Sequence, residues 1–488
     1  MLEVLDMVQP LKNSFAPINR IPPEVLSTIP DYYESEYMYL GPIWLTHVCG
    51  SWREIFISRS SLWTYLDFAN TEKTLAYIQR LRSSPLKVRI GGGGDETYHD
   101  HALPLITPHI ARLRSLTIHT DDIPNVLRHF CHHAPLLEDL RIEATSRDPR
   151  TLDTALLSGD LSSLRELCLV WVVTHLPWTN MANLRVFYLS CLSGHEVTVV
   201  RLLDLFESAP LLHTINIEDS IPESSDAPPE RIVSLHHLKS FWIAAGSVHA
   251  ILNHVRIPIG VALEVWTSFS GEASPLLDFL PETSPNIGNL SHVTTVTLSF
   301  CPTEKGVELD GPSGSLLMTA DWQEQVIPSS TMDHRILHSI SPSILSTTQQ
   351  LTIMDYTHFY PANLDEPLIF QTFSSMNGLQ TLTLSGCNDQ PFLFALDPEE
   401  NSPKLMVCPN LKKITLYSRW GDCTQDLIRM AKGRALRGAK LSSIVMIGLS
   451  TLAPKAEVFK LREHVTHVRC RFCSEFPSWD CNIPDEWE

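Results

Sequence analysis

The sequence lacks the positive charge that binding to nucleic acids requires. Its 488 residues include 37 Lys and Arg against 55 Asp and Glu, a formal net charge of −18. Association with DNA or RNA depends on basic side chains that neutralise phosphates, so this balance excludes nucleic acid as a general partner. A partner with a basic surface would instead be attracted.

Long apolar runs, a signal peptide and a disulfide framework are also missing. The most apolar stretch, residues 167–178, is too short to cross a bilayer, so no membrane partner is expected. Residues 1–17 carry no early basic run and are interpreted as a flexible N-terminus rather than a signal peptide. Eleven cysteines without framework spacing favour a reducing compartment, cytoplasmic or nuclear. The sequon at Asn289 is therefore expected to stay unmodified.

No motif in the sequence supports catalysis. The glycine-rich segment 91–101 has no Lys followed by Ser or Thr, so it cannot form a P-loop. Its His99, Asp100 and His101 are more typical of a polar loop than of a metal site. The segment 311–315 (GPSGS) lacks the last glycine of a nucleophile elbow and follows no evident strand. We predict a protein that is not an enzyme and needs no cofactor.

One group of metal-ligand residue types lies near the C-terminus, and it includes a CxxC pair. Its members are His464, His467, Cys470, Cys473 and Cys481. They would suffice for tetrahedral zinc. A strand pattern through the same segment would point His467 and Cys470 to opposite faces, and a closing cap with reduced thiols is the interpretation that we favour. No metal site is predicted.

The segment from Ile18 to Trp63 predicts a short helical block. Pro22 and Pro23 can begin a helix because its first turn does not use their missing N–H groups, and Pro30 ends or bends that helix. A second amphipathic helix is expected from Ile43 to Ile57. Its apolar face would contain Leu45, Val48, Cys49, Trp52 and Phe56.

This block resembles the F-box of the large fungal F-box families. The likeness rests on IPPEVL from Ile21, on Val48 and Cys49, and on Trp52, Arg53 and Trp63, and it continues in SSLWTYLDF and RLRSSPLKVRI. The resemblance implies a three-helix module that binds a Skp-type adaptor of a cullin-RING ubiquitin ligase. The implied adaptor contacts are Ile21, Pro22, Val25, Leu26, Ile29, Val48, Cys49 and Trp52. Pro30 departs from the family, which often has a large apolar residue there.

The rest of the chain repeats a short motif of the form LxxLxL. The clearest copies begin at Leu113, Leu137, Leu164, Leu184, Leu212, Leu238, Val293, Leu379, Leu411 and Leu441, with weaker copies at Gly260, Thr348 and Val465. The first six begin 20 to 28 residues apart, which is typical of leucine-rich repeats. Each motif alternates apolar and polar residues as a strand does, and many follow an amphipathic helical stretch.

The pattern predicts an α/β fold with parallel strands on a concave side and helices on a convex side. It resembles the leucine-rich repeats that follow F-boxes, although only Cys301 and Cys387 fill the position of the buried Asn or Cys. The alternative is a globular domain rich in strand and helix. Between Val293 and Thr348 the spacing fails, which predicts either a degenerate repeat or a long loop. The predicted domains are a helical module at 18–66, a connecting helix at 67–84, an irregular leucine-rich-repeat solenoid at 85–474 and a tail at 475–488.

Polar residues between the apolar ones would face the concavity and contact a target. The target-binding candidates are Arg141, Glu143, Asn216, Glu218, Trp242, Lys413, Tyr417 and Arg469. Trp242 is the most informative, because an exposed tryptophan is a natural interface anchor, although a neighbouring loop can equally cover it. The late basic residues, which include Arg471, are interpreted as a solvated rim.

These features predict a substrate-recognition subunit of a Skp/cullin/F-box ubiquitin ligase, with the adaptor and cullin-RING ligase on the F-box and an unknown target protein on the repeats. The alternative is a repeat scaffold or ligand-binding protein without a ligase, whose N-terminal helices only cap the array.

Overall fold

All thirteen LxxLxL-type motifs form β-strands. A computed structural model of the protein describes residues 15–29, 42–68, 71–91, 103–146, 150–152, 157, 161–174, 180–190, 197–219, 225–245, 248–269, 286–301, 304–322, 340–355, 366–398, 406–418, 423–448 and 455–472. The first apolar residue of a motif is buried, as at Leu113, Leu212 and Leu379, each at most 1% exposed. The predicted α/β class is confirmed, with sheets of mainly parallel strands.

Unit 1 of the chain, residues 1–197 and 204–212, contains a parallel sheet in the order β1-β2-β3-β4-β6-β8. Its strands are β1 (Tyr65–Asp67), β2 (Leu86–Gly91), β3 (Leu113–His119), β4 (Asp139–Glu143), β6 (Glu166–Val170) and β8 (Val186–Ser190), and β5 (Arg150–Leu152) pairs separately with β7 (Val172–Thr174). Its helices are α1 (Pro23–Thr28), α2 (Gly50–Ser58), α3 (Thr71–Ile78) and α4 (Ile123–Leu127). Single 3-10 turns lie at Pro17–Arg20, Pro42–His47, Ser60–Trp63, Leu103–Leu105, Thr107–Arg112 and Arg128–Phe130.

The sheet of unit 1 begins earlier than predicted. The segment 67–84, predicted as a connecting helix, is helical only at α3, Thr71–Ile78, and β1 already pairs with β2 in parallel register, Leu66 opposite Val88. The predicted boundary at residue 66 therefore falls inside a strand. The N-terminal helical block also belongs to the same compact unit as these strands.

Unit 2, residues 198–203 and 213–488, contains a sheet in the order β9-β11-β13-β16-β15-β14-β17-β18-β19-β20-β21. Its strands are β9 (Thr214–Glu218), β11 (Ser240–Ala244), β13 (Ala262–Phe269), β14 (Thr295–Phe300), β15 (Glu304–Gly311), β16 (Gly314–Trp322), β17 (Gln350–Asp355), β18 (Thr381–Ser385), β19 (Lys413–Ser418), β20 (Ser443–Gly448) and β21 (His467–Phe472), with β10 (Val233–Ser234) paired separately to β12 (Val255–Arg256). The helices from here on are α5 (Val199–Ser208), which has residues in both units, α6 (His249–Leu252), α7 (Pro342–Thr347), α8 (Glu366–Ser375), α9 (Gln390–Leu396), α10 (Thr424–Leu436) and α11 (Lys455–His464), and a 3-10 turn lies at Gly288–His292. Each of α8, α9 and α10 contacts the next helix along the chain.

A β-hairpin interrupts the run of parallel strands in unit 2. β15 and β16 are joined by the two residues Pro312 and Ser313, and the pair lies between β13 and β14 with β15 antiparallel to both neighbours. Gly314 has φ +115°, which suits glycine at this turn. The described part of the irregular segment, residues 304–322, is therefore neither a degenerate repeat nor a long loop. The GPSGS segment does follow a strand, contrary to the prediction.

The turn beside this hairpin is stabilised by Asn289. Its side-chain nitrogen donates to the carbonyl oxygens of Val261 and Ser315, and the residue is 1% exposed. The amide therefore links the beginnings of β13 and β16, which are neighbours in the sheet. In the folded chain this side-chain nitrogen is buried and hydrogen-bonded.

A polar link between two consecutive motifs was missed in the sequence. Asp121 follows β3 at the position that the repeat pattern reserves for Asn or Cys, and its Oδ1 accepts a hydrogen bond from the backbone N–H of Ser146 after β4. Hydrogen bonds from Thr145 and Ser146 lower the pKa of Asp121, against the opposing effect of burial. Cys301 and Cys387 are thus not the only residues at this position that can connect neighbours.

The C-terminal helices are fixed to the sheet by a buried arginine. Arg434 of α10 is fully buried, and its guanidinium donates to the carbonyl oxygens of Val407 at 2.8 Å and Cys408 at 2.6 Å. These carbonyls belong to the turn before β19, where the Cys408 carbonyl also accepts a hydrogen bond from the backbone N–H of Leu411 at 3.1 Å. A charged donor is well suited to two converging carbonyls.

We expect Arg434→Ala to destabilise unit 2 by about 3 kcal/mol, because two buried carbonyls lose a charged donor and a cavity remains. The midpoint of urea unfolding, followed by circular dichroism, measures the effect. Arg437→Ala is the matched control, since Arg437 lies just after the same helix and is exposed. Equal midpoints for the two variants would contradict this role.

Candidate protein-interaction surfaces

The N-terminal helical block has a small core of its own. Leu26 of α1, Leu45 of the 3-10 turn, and Trp52 and Phe56 of α2 form one buried cluster. Trp52 packs edge-on against Phe56 with ring centroids 5.5 Å apart, and its Nε1 donates to Asn19 Oδ1 at 2.7 Å. The block is therefore ordered by contacts among its own residues.

The second helix of the block is shorter than predicted. Residues 42–47 form a 3-10 turn, and α2 begins only at Gly50, because Cys49 is extended with φ −161° and ψ 173°. Glycine so close to the predicted helix centre weakens a continuous helix. As a result Val48 is 50% exposed instead of facing the core. α1 is short, ending at Thr28, as the proline pattern predicted, while Pro30 lies outside the described residues.

The structure divides the eight predicted adaptor contacts into three groups. Leu26 and Trp52 are 2% and 8% exposed and belong to the core, so in this conformation they contribute packing and little accessible area. Val25 and Val48 are 54% and 50% exposed, and Pro22 is exposed as well. The partly buried residues at the edge of the core are Ile21, Ile29 and Cys49.

Further apolar residues are exposed on the same block. Phe15, Ile18, Trp44 and Ile57 are 67%, 41%, 44% and 37% exposed. An open cavity of about 440 Å³ lies at Trp44 and is lined by Ile43, Trp44, His47 and Lys73. Sequence reasoning missed Trp44, whose place at the predicted helix start gave no reason to expect exposure.

Trp63 connects the block to the first strands. It is fully buried, donates from Nε1 to the Phe56 carbonyl at 3.0 Å, and meets Tyr77 of α3 edge-on at 4.9 Å. The guanidinium of Arg80 lies over its ring at 4.4 Å. Its burial and these contacts within unit 1 make Trp63 a packing residue rather than part of the exposed surface.

On the sheet of unit 1, polar residues alternate with buried ones as predicted. Arg141 is exposed and lies 3.2 Å from Glu143, which also lies 3.7 Å from His119 on the neighbouring strand. Asp139 stands opposite Glu166, and burial followed by neighbouring acidic charge raises the pKa of both carboxyl groups. The outward face of unit 1 therefore carries charge of both signs.

The predicted target-binding residues on the sheet of unit 2 differ in their exposure, and the one near the carboxyl end of β19 is the most buried. Asn216, Glu218 and Trp242 are half-buried, and Lys413 and Arg469 are exposed. Tyr417, however, is only 7% exposed, so in this conformation it offers little surface to a target. Three other residues that share its row are also buried, namely Ser299, Thr319 and Ser385. The alternation rule gives the side on which a residue lies but not whether that row is covered.

An acidic and aromatic group on this face was missed. Glu308 and Asp310 of the hairpin hydrogen-bond to each other through their side chains, and Glu264 and Trp266 lie on β13 two strands away. Burial and then the charge of Asp310 raise the pKa of Glu308, and burial raises the pKa of Asp310. Glu308 and Asp310 lie in the hairpin, and Glu264 and Trp266 lie in the weak motif from Gly260. The sequence pattern did not predict for either segment which side chains face outward.

No group of three or more potential metal ligands occurs among the described residues. His464, His467 and Cys470 of the C-terminal candidate lie within the described chain, whereas Cys473 and Cys481 lie outside it, as do His99, Asp100 and His101. Within the same described ranges, no helix combines the length and the apolar character needed to cross a membrane.

A scan against protein-family models finds no match to this chain, and a search of curated proteins finds none either. The surfaces therefore have to be interpreted from their own chemistry.

We expect Glu308→Gln to stabilise unit 2 at neutral pH. The pKa of Glu308 is higher in the folded state than in the unfolded state. The free energy of unfolding of the wild type therefore falls as the pH rises from the unfolded-state pKa through the folded-state pKa. The neutral glutamine avoids that loss and can still donate to Asp310. The gain in the urea midpoint should be larger at pH 7 than at pH 4.

Glu230→Gln serves as the control for this measurement, because Glu230 is an exposed carboxylate in the same unit. A gain for Glu308→Gln that is independent of pH would contradict the electrostatic explanation.

Proposed function

We propose that this protein is a substrate-recognition subunit of a Skp/cullin/F-box ubiquitin ligase. The N-terminal helical block binds the Skp-type adaptor, and the outward face of a leucine-rich-repeat-like array binds the target protein. The chain itself performs no chemistry. It brings a target lysine close to a ubiquitin-loaded enzyme, which raises the effective concentration of the two reactants.

The observation that carries the proposal is the concentration of exposed apolar residues on the helical block. Six of the thirteen exposed large apolar residues of the described chain lie in residues 15–29 and 42–57, and these six are Phe15, Ile18, Val25, Trp44, Val48 and Ile57. Such a density on so short a segment is typical of a surface that a partner covers. A block that only capped a sheet would turn these side chains inward.

The adaptor surface that we propose includes the exposed residues Val25, Val48, Pro22 and Trp44 of the helical block. Leu26 and Trp52 support it from below as core residues, so their replacement would act through folding. Ile21, Ile29 and Cys49 lie at the margin, where partial burial still leaves area for contact.

The repeat-array part of the proposal is supported by the regular use of one motif. Each of the thirteen motifs forms a strand, and within each unit the strands pair with neighbours one motif away apart from the hairpin insertion. The competing function, a scaffold without a ligase, is favoured by the packing of the helical block and the first strands into one compact unit. The two functions differ in whether an adaptor is retained.

Co-expression with a Skp-type adaptor tests the proposal. We expect the tagged full-length chain to retain the adaptor through affinity and size-exclusion steps, and the double variant Val25→Asp/Val48→Asp to lose at least tenfold of it. Both positions are about half exposed, so the variant should keep its urea midpoint. The charges oppose burial of the surface against a partner.

The matched control is Ile259→Asp/Leu436→Asp, because these residues are 64% and 72% exposed and lie outside the helical block. It should retain the adaptor like the wild type. A wild-type chain that retains no adaptor, under conditions in which a known F-box protein does, would refute the proposal and favour the scaffold.

A further inference from the structure

The outward face of unit 2 carries a group of two tryptophans and three carboxylates, which we call the Trp-acid patch. Its members are Trp242, Glu264, Trp266, Glu308 and Asp310. Parallel pairing places Trp242 opposite Glu264 and Glu264 opposite Leu317, and the antiparallel hairpin places Leu317 opposite Glu308. At about 4.8 Å per strand, this row extends roughly 14 Å across the sheet.

The second tryptophan lies one row further along the strands. Trp266 is two residues after Glu264 on β13, so its side chain projects from the same side, next to Ala244 of β11. The small side chain of Ala244 leaves the two indoles as the large groups on this part of the face. All five members of the patch are half-buried, so each keeps some accessible surface.

The charge of the patch has one sign. The strands β9, β11, β13, β14, β15 and β16 contain a single Lys or Arg, Lys305, which is 6% exposed and alternates with the outward residues Glu304 and Gly306. No basic side chain of these six strands therefore projects beside Glu264, Glu308 and Asp310. Glu308 and Asp310 repel each other when ionised, a cost that a bound cation would remove.

The hairpin creates this arrangement. The strands β15 and β16 separate β13 from β14. The strand β14 carries only the hydroxyl side chains of Thr295, Thr297 and Ser299 on its outward side. The insertion instead brings two carboxylates of β15 to the same face as the indoles of β11 and β13. Because the groups stand on paired strands and not on loops, their positions are largely fixed before a ligand binds.

We propose that the Trp-acid patch binds an arginine-bearing basic segment of a partner protein. A guanidinium can stack on an indole and also pair with a carboxylate through two parallel hydrogen bonds, which a lysine ammonium cannot do with both groups at once. The face is too acidic for nucleic acid. Calling this partner a ligase target rests on the proposed function, whereas the binding itself does not.

Fluorescence polarisation with the full-length chain tests the proposal. The probe is a labelled twelve-residue peptide with four arginines spaced by Gly and Ser, and the comparison peptides carry lysine or the neutral isostere citrulline at the same positions. We expect the arginine peptide to bind, the lysine peptide to bind at least fivefold more weakly, and the citrulline peptide to show no saturable binding. Added salt should weaken the interaction.

Variants locate the site. Glu264→Gln and Trp242→Ala should each weaken the arginine peptide at least tenfold, and Trp242→Phe should have a smaller effect because a ring remains. Glu230→Gln removes an exposed carboxylate of the same unit outside the patch and should bind as the wild type does. Near-ultraviolet circular dichroism checks that Trp242→Ala is folded, and Glu264→Gln keeps the test independent of that variant.

Binding of the citrulline peptide as tightly as the arginine peptide would overturn the inference, as would equal weakening by Glu264→Gln and Glu230→Gln. Stronger binding of the lysine peptide would overturn the choice of arginine. The assay contains no adaptor, so its failure leaves the proposed adaptor interaction standing, and loss of adaptor capture leaves the peptide result standing.

Discussion

The pairing of each strand with the strand of the neighbouring motif is the constraint on which the other features depend. In unit 2 it continues one residue before the strands, where the backbone N–H of Gln380 donates to the Gln349 carbonyl, Lys412 donates to Gln380, and Ser442 donates to Lys412. A slip of one residue would move every buried leucine to the outward face. The buried apolar rows therefore fix the register, and the register in turn decides which polar side chains share the outward face.

This constraint explains why so much of the sheet could be predicted from the sequence. Each clear motif supplies its own alternation and a buried first residue, so most of the strands and their outward sides followed from one pattern, whereas the weak motif at Gly260 begins with an exposed residue. The strand β1 was missed because its three residues Tyr65–Asp67 are too few for an alternation to be recognised. The helix break at Cys49 was missed because the apolar spacing alone favoured a continuous helix, whereas Gly50 and the extended Cys49 interrupt it.

The sequence of the unit 2 hairpin carries the pattern of an antiparallel hairpin and not that of the repeat. Residues 304–311 and 314–322 are two alternating runs on either side of Gly-Pro-Ser-Gly, which is the mark of an antiparallel hairpin and not of a repeat. The hairpin was missed because the strands were identified only by the spacing of the LxxLxL motif. Burial of Tyr417 has another origin, since a covered row depends on contacts between distant segments, and alternation within a strand carries no information about them.

The two surfaces differ in the kind of energy that they can supply to binding. Val25 and Val48 offer apolar area, and burying them stabilises a complex without much dependence on salt. The Trp-acid patch offers carboxylates, for which desolvation offsets much of the Coulomb energy, so its indoles would have to contribute area while the charges select the partner. A receptor that holds one constant partner and must discriminate among many others needs this division. An apolar surface suits the constant partner, because its complement does not vary. A rigid, charged and aromatic surface suits the discriminated one, because a segment without a correctly placed cation would leave buried carboxylates unpaired.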